Sequence, residues 1–117
     1  MPINEDFLTY VLDQLAHWSP VESKKMFGGV GLYREGLMFG LIGGNTNTFH
    51  LKADKMNESD FIEKGMTRFM ATETQKGLPY WEVPTDILED HKALGLWAEG
   101  AYQAALRKPP KKRKKMS

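Results

Sequence analysis

The run KKMFGGVGLYREGLMFGLIGG, residues 24–44, places seven glycines in twenty-one residues. Two kinds of structure use glycine at that density: a loop that cradles a phosphate, and a small sheet that turns tightly. A phosphate loop aims backbone N–H groups at the anion and usually opens a helix. The pattern GxxxxGK[ST] is absent, and GxGxxG begins with Gly29 and Gly31 but meets Arg34 at its third glycine. The pattern that follows is that of a strand. A kinase-type glycine loop shares the first two glycines, with Lys52 in place of its strand lysine. Its catalytic and metal-binding loops do not fit in 117 residues. The run therefore reads as sheet. Gly28 and Gly29 ease a strand entry, and Glu35-Gly36 suits a hairpin turn. Gly40 makes room for a neighbour or marks a bulge, and Gly43-Gly44 opens the next hairpin.

The rest of the chain fits around that sheet. Phe7, Leu8, Val11, Leu12 and Leu15 recur on one face at helical spacing. Asn4 is the expected cap, Glu5 and Asp6 suit the positive end of the helix dipole, and Ser19-Pro20 ends the helix. After the glycine run, residues 48–52 alternate as a half-buried strand. Residues 57–64 predict a short helix stopped by Gly65. Residues 67–74 and 78–83 predict two more strands, with Gln75, Lys76 and Gly77 as their turn. One last helix is expected after Pro84-Thr85, reaching about Leu106 with a stripe of Leu94, Trp97, Ala101, Tyr102 and Ala105. The fold class is α+β: two layers, an antiparallel sheet with helices packed on it, in the order α-β(3-4)-α-β(2)-α. Trp18, Trp81, Trp97, Tyr33, Tyr80 and Phe39 are expected in or at the edge of its core. Met26, Met38, Met66 and Met70 are expected as core gap-fillers.

The glycine run also resembles the N-terminal domain of the TfoX/Sxy family. The resemblance rests on Lys25, Met26, Phe27, Gly28, Gly29, Gly31, Leu32, Tyr33, Gly36, Met38 and Phe39, with Leu41. A second block, Tyr80, Trp81, Glu82, Val83 and Pro84 followed by Leu88, Glu89, Asp90, Trp97 and Ala98, is similar to the family's strand end and closing helix. The first basic position holds Lys25, where the family often has arginine. The resemblance covers roughly residues 5–106 and implies the α+β order already read from the residues. It further implies a regulator of natural competence that acts on transcription with the cyclic-AMP receptor protein and has no enzymatic step. Full-length regulators carry a second, helical domain after this one, so a stand-alone N-terminal domain is expected here.

Charge divides the chain unevenly. It holds sixteen basic and fifteen acidic residues. Seven of the basic ones fall in residues 107–115, RKPPKKRKK, which leaves residues 1–106 at a net −6. The expected division is a domain over 1–106 and a disordered basic tail over 107–117. Arg107, Lys108, Lys111, Lys112, Arg113, Lys114 and Lys115 are candidates for contact with nucleic-acid phosphates. No aromatic residue interleaves with them, so base stacking is not indicated. There is no cysteine, which excludes disulfides and thiolate metal sites. His17, His50 and His91 lie far apart in sequence and are expected as surface or half-buried residues, not as metal ligands. Glu82, Asp86, Glu89 and Asp90 are expected to complement a helix dipole. No cofactor, metal or membrane span is predicted, and a cytoplasmic location is expected. The reading is a non-enzymatic regulatory module with a protein partner and a tail that touches nucleic acid. The alternative is a small-molecule-binding or oligomerising scaffold. The sequence leaves the oligomeric state open.

Overall fold

The computed structural model describes residues 5–26, 29–43, 48–68 and 79–107. Its elements are α1 (Glu5–Ala16), β1 (Glu22–Met26), β2 (Gly29–Arg34), β3 (Leu37–Gly43), β4 (Thr48–Lys52), α2 (Glu58–Glu63), β5 (Tyr80–Glu82), α3 (Thr85–Leu88) and α4 (His91–Arg107). The five strands form one sheet in sequence order, every pair antiparallel. The α+β class holds.

The glycine run turns the sheet. Glu35 and Gly36 both have positive φ, 51° and 82°, the conformation a two-residue hairpin needs between Arg34 and Leu37. Further along, Leu32 pairs with Gly40 but Tyr33 pairs with Met38, so Phe39 is an extra residue in β3. This bulge lets Phe39 join the same face as Leu32 and Ile42. Gly40 beside it is required by space, because a Cβ there would lie 2.9 Å from the His50 carbonyl oxygen.

The register sorts the sheet into two faces. Val30, Leu32, Ile42, Phe49 and Leu51 share one face with the bulged Phe39, and all are at most 2 % exposed. Val11 and Leu15 of α1, Phe61 of α2, and Leu94, Ala98 and Ala101 of α4 complete that core. Alanines on the buried stripe of α4 let the helix lie close over β3 and β4. Trp18, Trp81 and Trp97 are partly buried against the core, as expected at its edge. Met66 packs there too, while Met38 is half-buried. The side chain of Met26, and Met70, lie outside the description.

One expectation needs adjustment and one falls partly outside view. The last helix is two helices, because the chain breaks after Leu88 and restarts at His91. Asp90 explains the restart: its Oδ1 accepts the N–H groups of Lys92 at 3.1 Å and Ala93 at 3.3 Å, an N-cap that starts a new helix. The 57–64 helix is present as α2. It ends as predicted at Gly65, where Gly65 N–H bonds to Ile62 and Met66 N–H to Phe61. Of the strand predicted over 67–74, Arg68 bridges Trp81 and Thr67 accepts the Glu82 N–H at 3.0 Å. The remainder, with its turn at 75–77, lies outside the described residues, as does Asn4.

Candidate functional site

The residues that carry the family resemblance split between scaffold and one polar patch. Gly36, Met38 and Phe39 set the hairpin and bulge, and Leu32 fills the core. Gly29 pairs with Met26 and Gly31 with Lys24, while Lys25 pairs with Val30 on the exposed edge strand β1. Val83 and Pro84 are buried where β5 hands over to α3. Phe27 and Gly28 lie outside the described residues. Tyr33, Tyr80 and Glu82 instead share the sheet face turned away from the helices. On that face Tyr33 neighbours Met38, Tyr80 neighbours Lys52, and Glu82 neighbours His50. The ammonium of Lys24 stands 5.0 Å from the centre of the Tyr33 ring, and that of Lys52 stands 5.2 Å from the Tyr80 ring. Burial raises the Tyr80 pKa, and the Tyr33 phenol adds to it.

His50 and Lys52 are buried in this patch, at 5 % and 7 % exposure. Burial overcomes a bond to the Thr48 backbone and pushes the His50 pKa down to about 4, so the imidazole is neutral at pH 7. The expectation of a surface or half-buried His50 fails because β4 is buried on both faces. The patch thus combines two lysines, two phenols, a neutral imidazole and a carboxylate.

A second cluster was not singled out from the sequence. Arg34 leaves β2 on the helix-facing side, and its guanidinium carbon sits 4.8 Å from the Trp18 ring and 4.6 Å from the Tyr102 ring. Glu99 gathers the cluster: its Oε1 accepts Trp18 Nε1 at 3.0 Å and Arg34 Nη1 at 3.4 Å, and its Oε2 accepts Gln103 Nε2 at 2.8 Å. These donors hold the Glu99 carboxyl below its usual range, Gln103 and Trp18 more than Arg34. The clasp ties α1, β2 and α4 together. Its sequence signal is a lone arginine within a glycine-rich strand run; the aromatic partners come from positions sixteen residues upstream and sixty-eight downstream.

The basic segment begins differently from its expectation. Arg107 is the last residue of α4, and it forms two bonds of 2.9 Å to the Asp54 carboxylate, Nε to Oδ2 and Nη2 to Oδ1. Asp54 is held below the usual carboxylate range, first by this hydrogen bond. Arg107 is thereby part of the folded body. Lys108, Lys111, Lys112, Arg113, Lys114 and Lys115 lie outside the described residues. A groove of about 630 Å³ lies between α2 and the N-terminal half of α4, from Ala93 to Gly100. Phe61 and Trp97 line it, their rings meeting edge to face at 4.8 Å. Leu96, 76 % exposed, and the carboxylates of Asp60 and Glu63 complete its walls.

His17 and His91 meet, although they are far apart in sequence. Their rings stack at 3.9 Å where the end of α1 passes the start of α4. Among the described residues no group of three potential ligands is placed to hold a metal. The acidic cluster serves the helices: Asp90 caps α4, and Asp86, in the first turn of α3, pairs with Lys64 at 3.0 Å. Glu82 belongs to the sheet patch instead. Among the described residues no helix is long and apolar enough to cross a membrane.

The architecture defines a class: a small α+β domain whose helices cover one face of a five-stranded meander and whose shared motif residues mostly shape that sheet. Comparison with protein families matches residues 13–105 to the TfoX N-terminal domain, and the chain belongs to that family. A search of curated proteins gave no match.

Proposed function

We propose that this chain is a non-enzymatic regulatory module of the TfoX N-terminal type, acting through a protein partner, with its basic segment adding sequence-independent contact to nucleic acid. The observation that carries the reading is where the family-motif residues go. Among the described ones, most shape the sheet: five set a hairpin, a bulge and a strand-to-helix corner, Leu32 fills the core, and Lys25, Met26, Gly29 and Gly31 pair β1 with β2, while Tyr33, Tyr80 and Glu82 lie on the sheet face away from the helices. That pattern supports a module that presents a sheet surface to a partner. Membership of the family supports a regulatory role linked to competence.

The tail half of the reading concerns six cations, since Arg107 is already held by Asp54. If all six engage phosphates, the logarithm of duplex-DNA affinity falls with the logarithm of salt with a slope of about −5. The test is a salt titration of binding to a fluorescent duplex, with and without residues 108–117. Truncation is expected to weaken binding and flatten the slope. Equal slopes for the two proteins would remove nucleic acid from the proposal, and partner capture would then test the protein half alone.

A further inference from the structure

We infer that the α2–α4 groove is the docking site of this chain's own basic segment, residues 108–117, which it holds when no competing polyanion is present. The first argument is where the chain leaves the fold. The pair of bonds from Arg107 to Asp54 ties the end of α4 to the loop that leads into α2. The same loop delivers Asn57, which lines the groove, and a Cβ on Gly100 would lie 3.7 Å from Asn57 Nδ2. The basic segment therefore starts at the corner whose loop also carries Asn57, about 10 Å from the Gly100 end of the groove. From Arg107 back to Gly100 is about 10 Å along α4, and a further 10 Å reaches Ala93 at the far end. Ten residues can span up to about 33 Å when extended, so the segment is long enough to reach the far end of the groove.

The second argument is chemistry. Asp60 and Glu63 stand on the groove wall with no ion pair among the described residues, while the neighbouring Lys64 is engaged by Asp86. The floor is apolar, with Phe61 and Trp97, and the exposed Leu96 stands on the wall. Lysine and arginine suit such a surface. Their methylene stems cover apolar area while their charged heads reach carboxylates. The acidic balance of residues 1–106 favours the same docking over distance.

The inference goes beyond the contact with nucleic acid proposed above: a docked segment is withheld from phosphates until one displaces it. It is tested without DNA or partner. The chain has no cysteine, so S117C takes a single nitroxide label in the full protein. The amides of Leu96, Trp97 and Gly100 are expected to lose about half their NMR intensity at low salt and to recover it near 1 M salt, where the screening length is about 3 Å. D60N/E63Q should restore the intensity at low salt, and E22Q/E89Q, the same charge change elsewhere, should not. An undiminished signal in the labelled protein overturns the inference. So does a loss that survives D60N/E63Q, or one that E22Q/E89Q removes equally. A loss of the same size in unlabelled protein mixed with labelled copies also overturns it, by assigning the groove to the segment of a second copy. Failure here leaves the salt titration to decide the nucleic-acid reading separately.

Discussion

Lowering the pH from 7 to 5 should destabilise this protein through His50. The imidazole is buried on the sheet face away from the helices, and burial sets its folded pKa at about 4 against 6.5 for the free side chain. The folded state therefore binds fewer protons than the unfolded state between those values, and stability rises with pH across that window. The stabilising share is complete above pH 6.5 and is lost as pH falls through 4, about 3 kcal/mol in all. Between pH 7 and 5 the loss is roughly 2 kcal/mol. For a domain of this size that lowers the melting temperature by about 8 °C. The lowered carboxylates Asp54 and Glu99 contribute little in this window, since their share is lost only as pH falls through the range below their usual values. The assay is denaturant unfolding of wild type and H50Q at half-unit steps of pH. H50Q should show a flatter dependence, whatever its absolute stability. Parallel curves for the two proteins would refute the reasoning. If H50Q does not fold, the wild-type imidazole can be titrated by NMR, and a midpoint near 6.5 would be equally damaging.

Two substitutions probe the scaffold. Gly40→Ala forces a Cβ to within 2.9 Å of the His50 carbonyl oxygen, so β3 and β4 must part, and a loss of about 1–3 kcal/mol in unfolding free energy is expected. A neutral result would mean that the bulge at Phe39 absorbs a methyl group freely. Arg34→Lys keeps the charge but loses the flat guanidinium between Trp18 and Tyr102. Thermal unfolding should show a cost of about 1 kcal/mol, and Arg34→Met should cost more. If lysine serves as well as arginine, the rings do not hold the guanidinium by its plane.

How far the sequence reveals this fold depends on how local each cause is. The Glu35-Gly36 turn was legible because a hairpin of that length needs positive φ at residues adjacent in the chain. The helix periodicity of α1 and the stop at Gly65 were legible for the same reason. The break between α3 and α4 is also local, since Asp90 caps the restart, while the apolar stripe across residues 94–105 lies wholly beyond it. Gly40 was legible in kind, as a position needing room, but the atom it avoids belongs to β4. The remaining features join distant segments. The burial of His50 follows from both faces of β4 being covered, which no alternation within residues 48–52 announces. The His17–His91 stack and the Arg34 clasp each need α1 and α4 side by side, and only the folded register brings them there. Arg107 shows the same limit: in sequence it opens a basic run, and in space Asp54 fastens it, as the last residue of α4, to the loop before α2. That ion pair joins segments fifty-three residues apart, which no local pattern announces. The groove between α2 and α4 is equally non-local: its lining joins residues 57–64 to residues 93–100, which only the folded packing brings together.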